Sequence, residues 1–231
     1  MLIVFRSKRY GFERQDALFA YFFGICGILI GAKALSLAGQ LPNMWRLRKL
    51  LFTHTRMYFE YFFNSGLVFY GGLIGGLLMA VIYCRKYKLN TLYFLDLSAP
   101  AIAVGHSVAR IGCFMVGCCY GKPTDSSFGV IFNNSPVAPH DVHLLPVQLF
   151  ESALNMILFI TLMIFSRKQR KSGSVIGLYI VLYSIIRFLL EFLRGDDARG
   201  FILFLSTSQL ISLVILPIGI FLLAGKRTKS N

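Results

Sequence analysis

Six continuous apolar stretches of about 20 residues, at 17–39, 66–84, 92–118, 147–166, 174–193 and 203–225, constrain this chain more than any other feature. An α-helix of that length crosses a hydrocarbon core of ~30 Å. In lipid only structures that satisfy their own backbone N–H and C=O groups can span. The runs lack the period-two alternation of a membrane β-barrel, so they predict helices. The expected fold is all-α: a polytopic membrane helical bundle of about six transmembrane helices in a single integral membrane domain, 1–231. Composition agrees, with 56% hydrophobic residues and 15% charged against about 25% charged in soluble domains. Arg6, Lys8 and Arg9 precede a full-length first span, which is not the pattern of a cleavable signal peptide.

A formal net charge of +14 raises nucleic acid as a partner, but the placement of the cations argues for a membrane surface. With the N-terminus cytoplasmic, fourteen of the 24 Lys and Arg residues fall in inner segments around residues 6–14, 85–88, 167–171 and 226–229. Seven fall outside, and Lys33, Arg110 and Arg187 lie within spans. That asymmetry is the positive-inside pattern and puts both termini in the cytoplasm. Basic loops of this kind attract anionic lipid headgroups, so the expected partners are membrane lipids and not nucleic acid.

Ala99–Thr124 begins as a membrane helix and then departs from one. His106 and Arg110 interrupt apolar sequence, and glycines stand at 105, 112, 117 and 121. An arginine at a helix centre costs roughly 2.5–3.5 kcal/mol on insertion scales, so Arg110 is expected to face a partner or a polar cavity. Cys113, Cys118 and Cys119 crowd the same stretch. Their spacing is not a zinc pattern, and small packing residues are the plainer reading, with a disulfide or reactive thiol left open.

Other polar residues fall at recognisable places. Residues 40–65, with Trp45, Arg46, Arg48, Lys49, Arg56, Tyr58 and Tyr61, read as an outer interfacial amphipathic segment with an aromatic belt. The glycines of Phe69–Gly76 permit close helix packing or close approach of a headgroup. Asp96 reads as the cap of its own helix, with Pro100 following. Residues 121–146, rich in Pro, Asn and Gly, form a long outer loop. Gln148 and Glu151 are three apart on one helical face. Arg187, Glu191 and Arg194 fall at i, i+4, i+7 on another. Guanidinium forks suit phosphate oxygens, though structural pairing of Arg187 with Glu191, and of Arg110 with a glutamate, accounts for part of the pattern.

Four ordered segments resemble the bacterial prolipoprotein diacylglyceryl transferase family. Ala109-Arg110-Ile111-Gly112-Cys113-Phe114-Met115-Val116-Gly117-Cys118-Cys119-Tyr120-Gly121-Lys122 is similar to its signature. Phe69–Gly75, Pro146–Glu151 and Arg187–Arg194 are similar to three further family segments. The resemblance implies transfer of a diacylglyceryl group from phosphatidylglycerol to the lipobox cysteine thiol of a preprolipoprotein, near its signal-peptide region. Glycerol phosphate is released, with no metal or cofactor, in the bacterial cytoplasmic (inner) membrane. It implies that Arg110, Arg187 and Arg194 hold phosphate with Glu191 orienting them, and that Tyr70, Gly71, Gly72, Gly112, Gly121, Gln148 and Glu151 bind substrate. Tyr70 stands where the family has histidine, Cys113 and Val116 where it has asparagine, and Cys118 where it has glutamate. Six spans stand where the family has seven. His106, one turn before Arg110, is the candidate base in place of the lost histidine. The alternatives are a related phospholipid-using transferase with another acceptor, and a non-catalytic lipid-binding protein.

Overall fold

A computed structural model describes residues 2–46, 54–57, 60, 66, 68–168, 170–196, 200–202 and 204–225. The helices delimited among the described residues are α1 (Leu2–Ser7), α2 (Arg14–Arg46), α3 (Phe69–Lys86), α4 (Thr91–Val116), α5 (Val147–Phe165), α6 (Ser174–Leu190) and α7 (Thr207–Ala224). The strands β1 (Phe201–Ile202) and β2 (Leu205–Ser206) form a two-residue antiparallel pair. Among the described residues α2, α4, α5, α6 with the turn after it, and α7 are long and apolar enough to cross a membrane. The predicted span at 66–84 is α3, whose last two residues are Arg85 and Lys86. The fold is the expected all-α, multi-pass membrane type.

Several boundaries move for physical reasons. The first span does not stop at 39, because α2 runs on through Pro42 to Arg46. The last span begins at Thr207 and not 203, since Ser206 caps α7. Its hydroxyl accepts from Gln209 N at 3.2 Å while Gln209 Oε1 accepts from Ser206 N at 3.0 Å, a reciprocal capping box. Most of the interfacial segment read at 40–65, including Tyr58 and Tyr61, lies outside the described residues. Within it Arg56 and Glu60 form an exposed i, i+4 pair at 2.8 Å.

By its contacts the chain divides into two compact units, 1–94 and 95–231. In the first, α2 and α3 pack through glycines. A Cβ at Gly31 would strike the carbonyl oxygen of Gly71, and one at Gly75 that of Gly27. Backbones this close are the usual gain from small residues in membrane helices. Gly71→Leu is expected to force the pair apart at about 1–3 kcal/mol, read as a lower unfolding temperature in detergent. An unchanged transition would show that this contact contributes little.

In the second unit Ala99, Ala103, Leu158, Leu162, Val175, Ile176 and Tyr179 form a buried core cluster from α4, α5 and α6. Asp96 corrects the reading of it as its own helix's cap. Asn90 holds that position, its Oδ1 accepting from Tyr93 N at 3.1 Å. Pro100 lies inside α4. Asp96, 1% exposed, instead caps α6 from across the fold. Its Oδ2 accepts from Gly173 N at 2.7 Å and its Oδ1 from Ile176 N at 2.8 Å. These N–H groups are left over at a helix start, and a carboxylate there also meets the positive end of the helix dipole.

Candidate active site

The site is built where α4, α5 and α6 carry their polar residues. Ser107 and Ser152 lock α4 to α5 by reciprocal bonds. Each hydroxyl donates to the other residue's carbonyl at 2.9 Å, and the two oxygens lie 3.0 Å apart. Ser107 precedes Arg110 by one turn and Ser152 adjoins Glu151, so this lock sets the register of the charged pair. Arg110 Nε lies 3.1 Å from Glu151 Oε2. Arg187 of α6 approaches the same oxygen with Nη1 at 3.6 Å. Arg187 Nη2 lies 2.9 Å from Glu191 Oε2 and donates to Ser208 Oγ of α7 at 3.0 Å.

Glu151 is 2% exposed and therefore sits as a shared counter-ion between two guanidinium groups. Arg110 engages it through Nε. That leaves the two terminal nitrogens of Arg110 without a hydrogen-bond partner among the described residues, on a side chain still 17% exposed. Arg187 Nη1 is buried and likewise makes no hydrogen bond among them. Two forks with spare donors, held in place by carboxylates, are the arrangement that accepts phosphate oxygens bidentately.

The predicted stripe through residues 187, 191 and 194 is only partly realised. Helix α6 ends at Leu190, Glu191–Leu193 form a 3₁₀ turn, and Arg194 is extended at φ −74° and ψ 143°. Arg194 pairs in an isolated antiparallel bridge with Gly121, and Lys122 N donates to Leu193 O at 2.9 Å. The guanidinium of Arg194 donates to both carboxylate oxygens of Asp196, at 2.9 and 2.6 Å. Burial would lower the pKa of Arg194, but the hydrogen-bonded Asp196 carboxylate outweighs it and holds the group above the ordinary arginine range.

Gln148 of α5, 1% exposed, donates from Nε2 to Cys118 O at 2.8 Å. Its Oε1 has no partner among the described residues. Gly121 is packed so tightly that a Cβ would meet Leu145 O and Val147 Cγ2, whereas a Cβ at Gly112 would meet nothing. His106 stacks on Tyr183 with centroids 5.1 Å apart, and its Nδ1 lies 3.5 Å from Tyr179 Oη. Burial, followed by the neighbouring thiols, pushes Cys118 up to about 12, so it keeps its proton at neutral pH. Tyr70, Gly71 and Gly72 belong to the first unit.

Four residues here escaped the sequence reading. Asp196 lies just beyond a predicted helix. Ser208 is an ordinary helix-start serine. Tyr179 and Tyr183 continue the i, i+4 line of Arg187 and Glu191 back along α6, a periodicity that was available to find them.

Fold and site together define a multi-pass membrane protein with a buried arginine–carboxylate network among its helices. A family model described as prolipoprotein diacylglyceryl transferase matches residues 1–225. The phosphatidylglycerol–prolipoprotein diacylglyceryl transferase of Clostridium tetani (strain Massachusetts / E88) is 40% identical over 216 residues, 94% of this chain and 83% of the relative. The enzyme of that name numbered 2 in Clostridium perfringens (strain 13 / Type A) is 35% identical over 222 residues, 96% of this chain and 83% of the relative. That of Campylobacter curvus (strain 525.92) is 35% identical over 205 residues, 84% of this chain and 72% of the relative. The chain belongs to the prolipoprotein diacylglyceryl transferase family.

Proposed function

We propose that this protein transfers the diacylglyceryl group of phosphatidylglycerol to the lipobox cysteine thiol of a preprolipoprotein, releasing glycerol phosphate. The observation that carries the reading is Arg110, anchored to Glu151 through Nε with its terminal nitrogens making no hydrogen bond among the described residues. In the reaction the thiol sulfur forms a bond to the glyceryl carbon as the carbon–oxygen bond to phosphate breaks. The leaving phosphate gains negative charge. Donors already aimed at that charge, in a site poor in water, stabilise the transition state without reorganising.

Arg110 and Arg187 hold the phosphate. Glu151 and Glu191 orient them, and Arg194 with Asp196 fixes the chain around Gly121. Gln148 supplies a buried acceptor, Oε1, for a hydroxyl of the headgroup. Gly112 leaves room for lipid beside Arg110. The parts of Tyr70, Gly71 and Gly72 in binding lipid rest on the family pattern alone. His106 takes the thiol proton, since its ring lies one turn from Arg110 and a neutral imidazole offers a ring nitrogen that can accept it. The protein works in the cytoplasmic membrane of a bacterium with both termini inside, as the Lys and Arg distribution argues.

The test uses purified protein in detergent with phosphatidylglycerol and a synthetic lipobox peptide. Expected products are glycerol phosphate and a peptide carrying the mass of a diacylglyceryl thioether. His106→Gln is expected to lose most of the rate. Folded protein giving no product would overturn the reading in favour of another acceptor. A rate unchanged in His106→Gln would remove the histidine from the mechanism.

A further inference from the structure

Three of the five cysteines come together at the end of α4. Cys113 lies in the last turn of that helix, and Cys118 and Cys119 follow Gly117. Their sulfur atoms all lie within 4.8 Å of one another, and all three residues are partly exposed free thiols. We propose that Cys113, Cys118 and Cys119 form a three-thiolate site for a soft d¹⁰ cation of the zinc class, with its fourth position open to solvent.

The geometry fits such an ion. With a metal–sulfur bond of about 2.3 Å, sulfurs around a tetrahedral centre lie about 3.8 Å apart, so the trio closes on a cation by moving an ångström or less. The sequence spacing hides this. Two left-handed residues fold the chain back on its helix: Gly117 at φ +76° and Cys119 at φ +58°. For a cysteine that conformation costs about 1–2 kcal/mol, and such strain gathers where a site must be held. The backbone is pinned on both sides. Ser135 Oγ donates to Val116 O at 2.8 Å, and Cys118 O accepts from Gln148.

Charge fits as well. Each thiol gives up its proton to solvent as it binds, and three thiolates with a divalent cation leave one negative charge. Arg110 and Arg194 lie within electrostatic range of Cys119 to balance it. Without a metal the thiols stay protonated, and a bound cation offsets the repulsion that three thiolates this close would otherwise have. The ion would clamp the chain that leaves α4 to the helix itself, beside the arginine cluster. The site does not depend on which acceptor the enzyme uses.

The test is a titration of the full-length, reduced protein in detergent with Cd²⁺ as the probe. A thiolate-to-metal charge-transfer band is expected to saturate at one Cd²⁺ per chain and to be competed away by Zn²⁺. It should fall in Cys113→Ser, Cys118→Ser and Cys119→Ser and persist in Cys26→Ser and Cys84→Ser. A second reading needs no variant: Cd²⁺ should protect Cys113, Cys118 and Cys119, but not Cys26, from alkylation by N-ethylmaleimide, mapped by mass spectrometry. No band in protein whose thiols all titrate as reduced, a band that survives Cys118→Ser, or alkylation indifferent to Cd²⁺ would each overturn the site.

Discussion

Replacing Glu151 by alanine is expected to lower stability more than any other single change discussed for this chain, by about 3–5 kcal/mol. That is the usual cost of removing one partner from a buried ion pair, because the other charge is left uncompensated. Here one carboxylate serves two guanidinium groups, and its loss strands the one that has no second acidic partner among the described residues. Glu151 Oε2 is the only carboxylate oxygen placed against Arg110 among the described residues, and it also faces Arg187. Arg187 keeps Glu191 and Ser208 when Glu151 is lost, but Arg110 keeps no carboxylate partner among the described residues. Glu151→Gln should fall between wild type and alanine, since the amide fills the space and accepts one hydrogen bond without carrying charge. Thermal unfolding in detergent, followed by helical circular dichroism, orders the three proteins. Alanine and wild type melting together would mean that Arg110 reaches solvent on losing its partner, and the shared counter-ion would then not be what holds α4, α5 and α6 in place.

What could be read in advance divides by distance along the chain. The spans were legible because an apolar run long enough to cross a bilayer has few other fates. Arg187 with Glu191 was legible because four residues on a helix are neighbours whatever surrounds them. Gln148 and Glu151 stood out as two polar groups on one face of an apolar helix. What escaped was set by contacts between distant segments. Asp96 caps a helix 77 and 80 residues further on, which no local pattern encodes. Arg194 left its expected stripe because bridging to Gly121 draws the chain out of the helix after Leu190. Pro42 and Pro100 lie inside helices, since neighbours in a membrane bundle can satisfy the carbonyls that a proline frees. The family resemblance reached the charged residues as a set. It did not supply their pairing, in which Glu151 serves Arg110 and Arg187 while Asp196 serves Arg194.

Arg110→Ala is expected to cut turnover by at least about 10²–10³-fold, the usual loss when one preorganised donor to a developing anion is removed. It should do so with a much smaller effect on folding than Glu151→Ala. The asymmetry follows from the geometry: without Arg110, Glu151 still has Arg187 Nη1 at 3.6 Å, so no buried charge is orphaned. Arg110→Lys separates fork from charge. A lysine ammonium is a compact point charge and cannot present Nε to Glu151 while offering two further nitrogens to a phosphate. Lysine should therefore restore stability fully and turnover only in part. The check measures glycerol phosphate release and thermal unfolding on the same preparations of the three proteins. Full activity in the lysine enzyme would show that charge alone is used at this position. Wild-type turnover in the alanine enzyme would move the phosphate away from Arg110, leaving Arg187 and Arg194 to hold it. A loss of turnover that tracks the loss of folded protein would make Arg110 a structural partner of Glu151. Only a loss confined to turnover fits an arginine whose terminal nitrogens are kept clear for substrate.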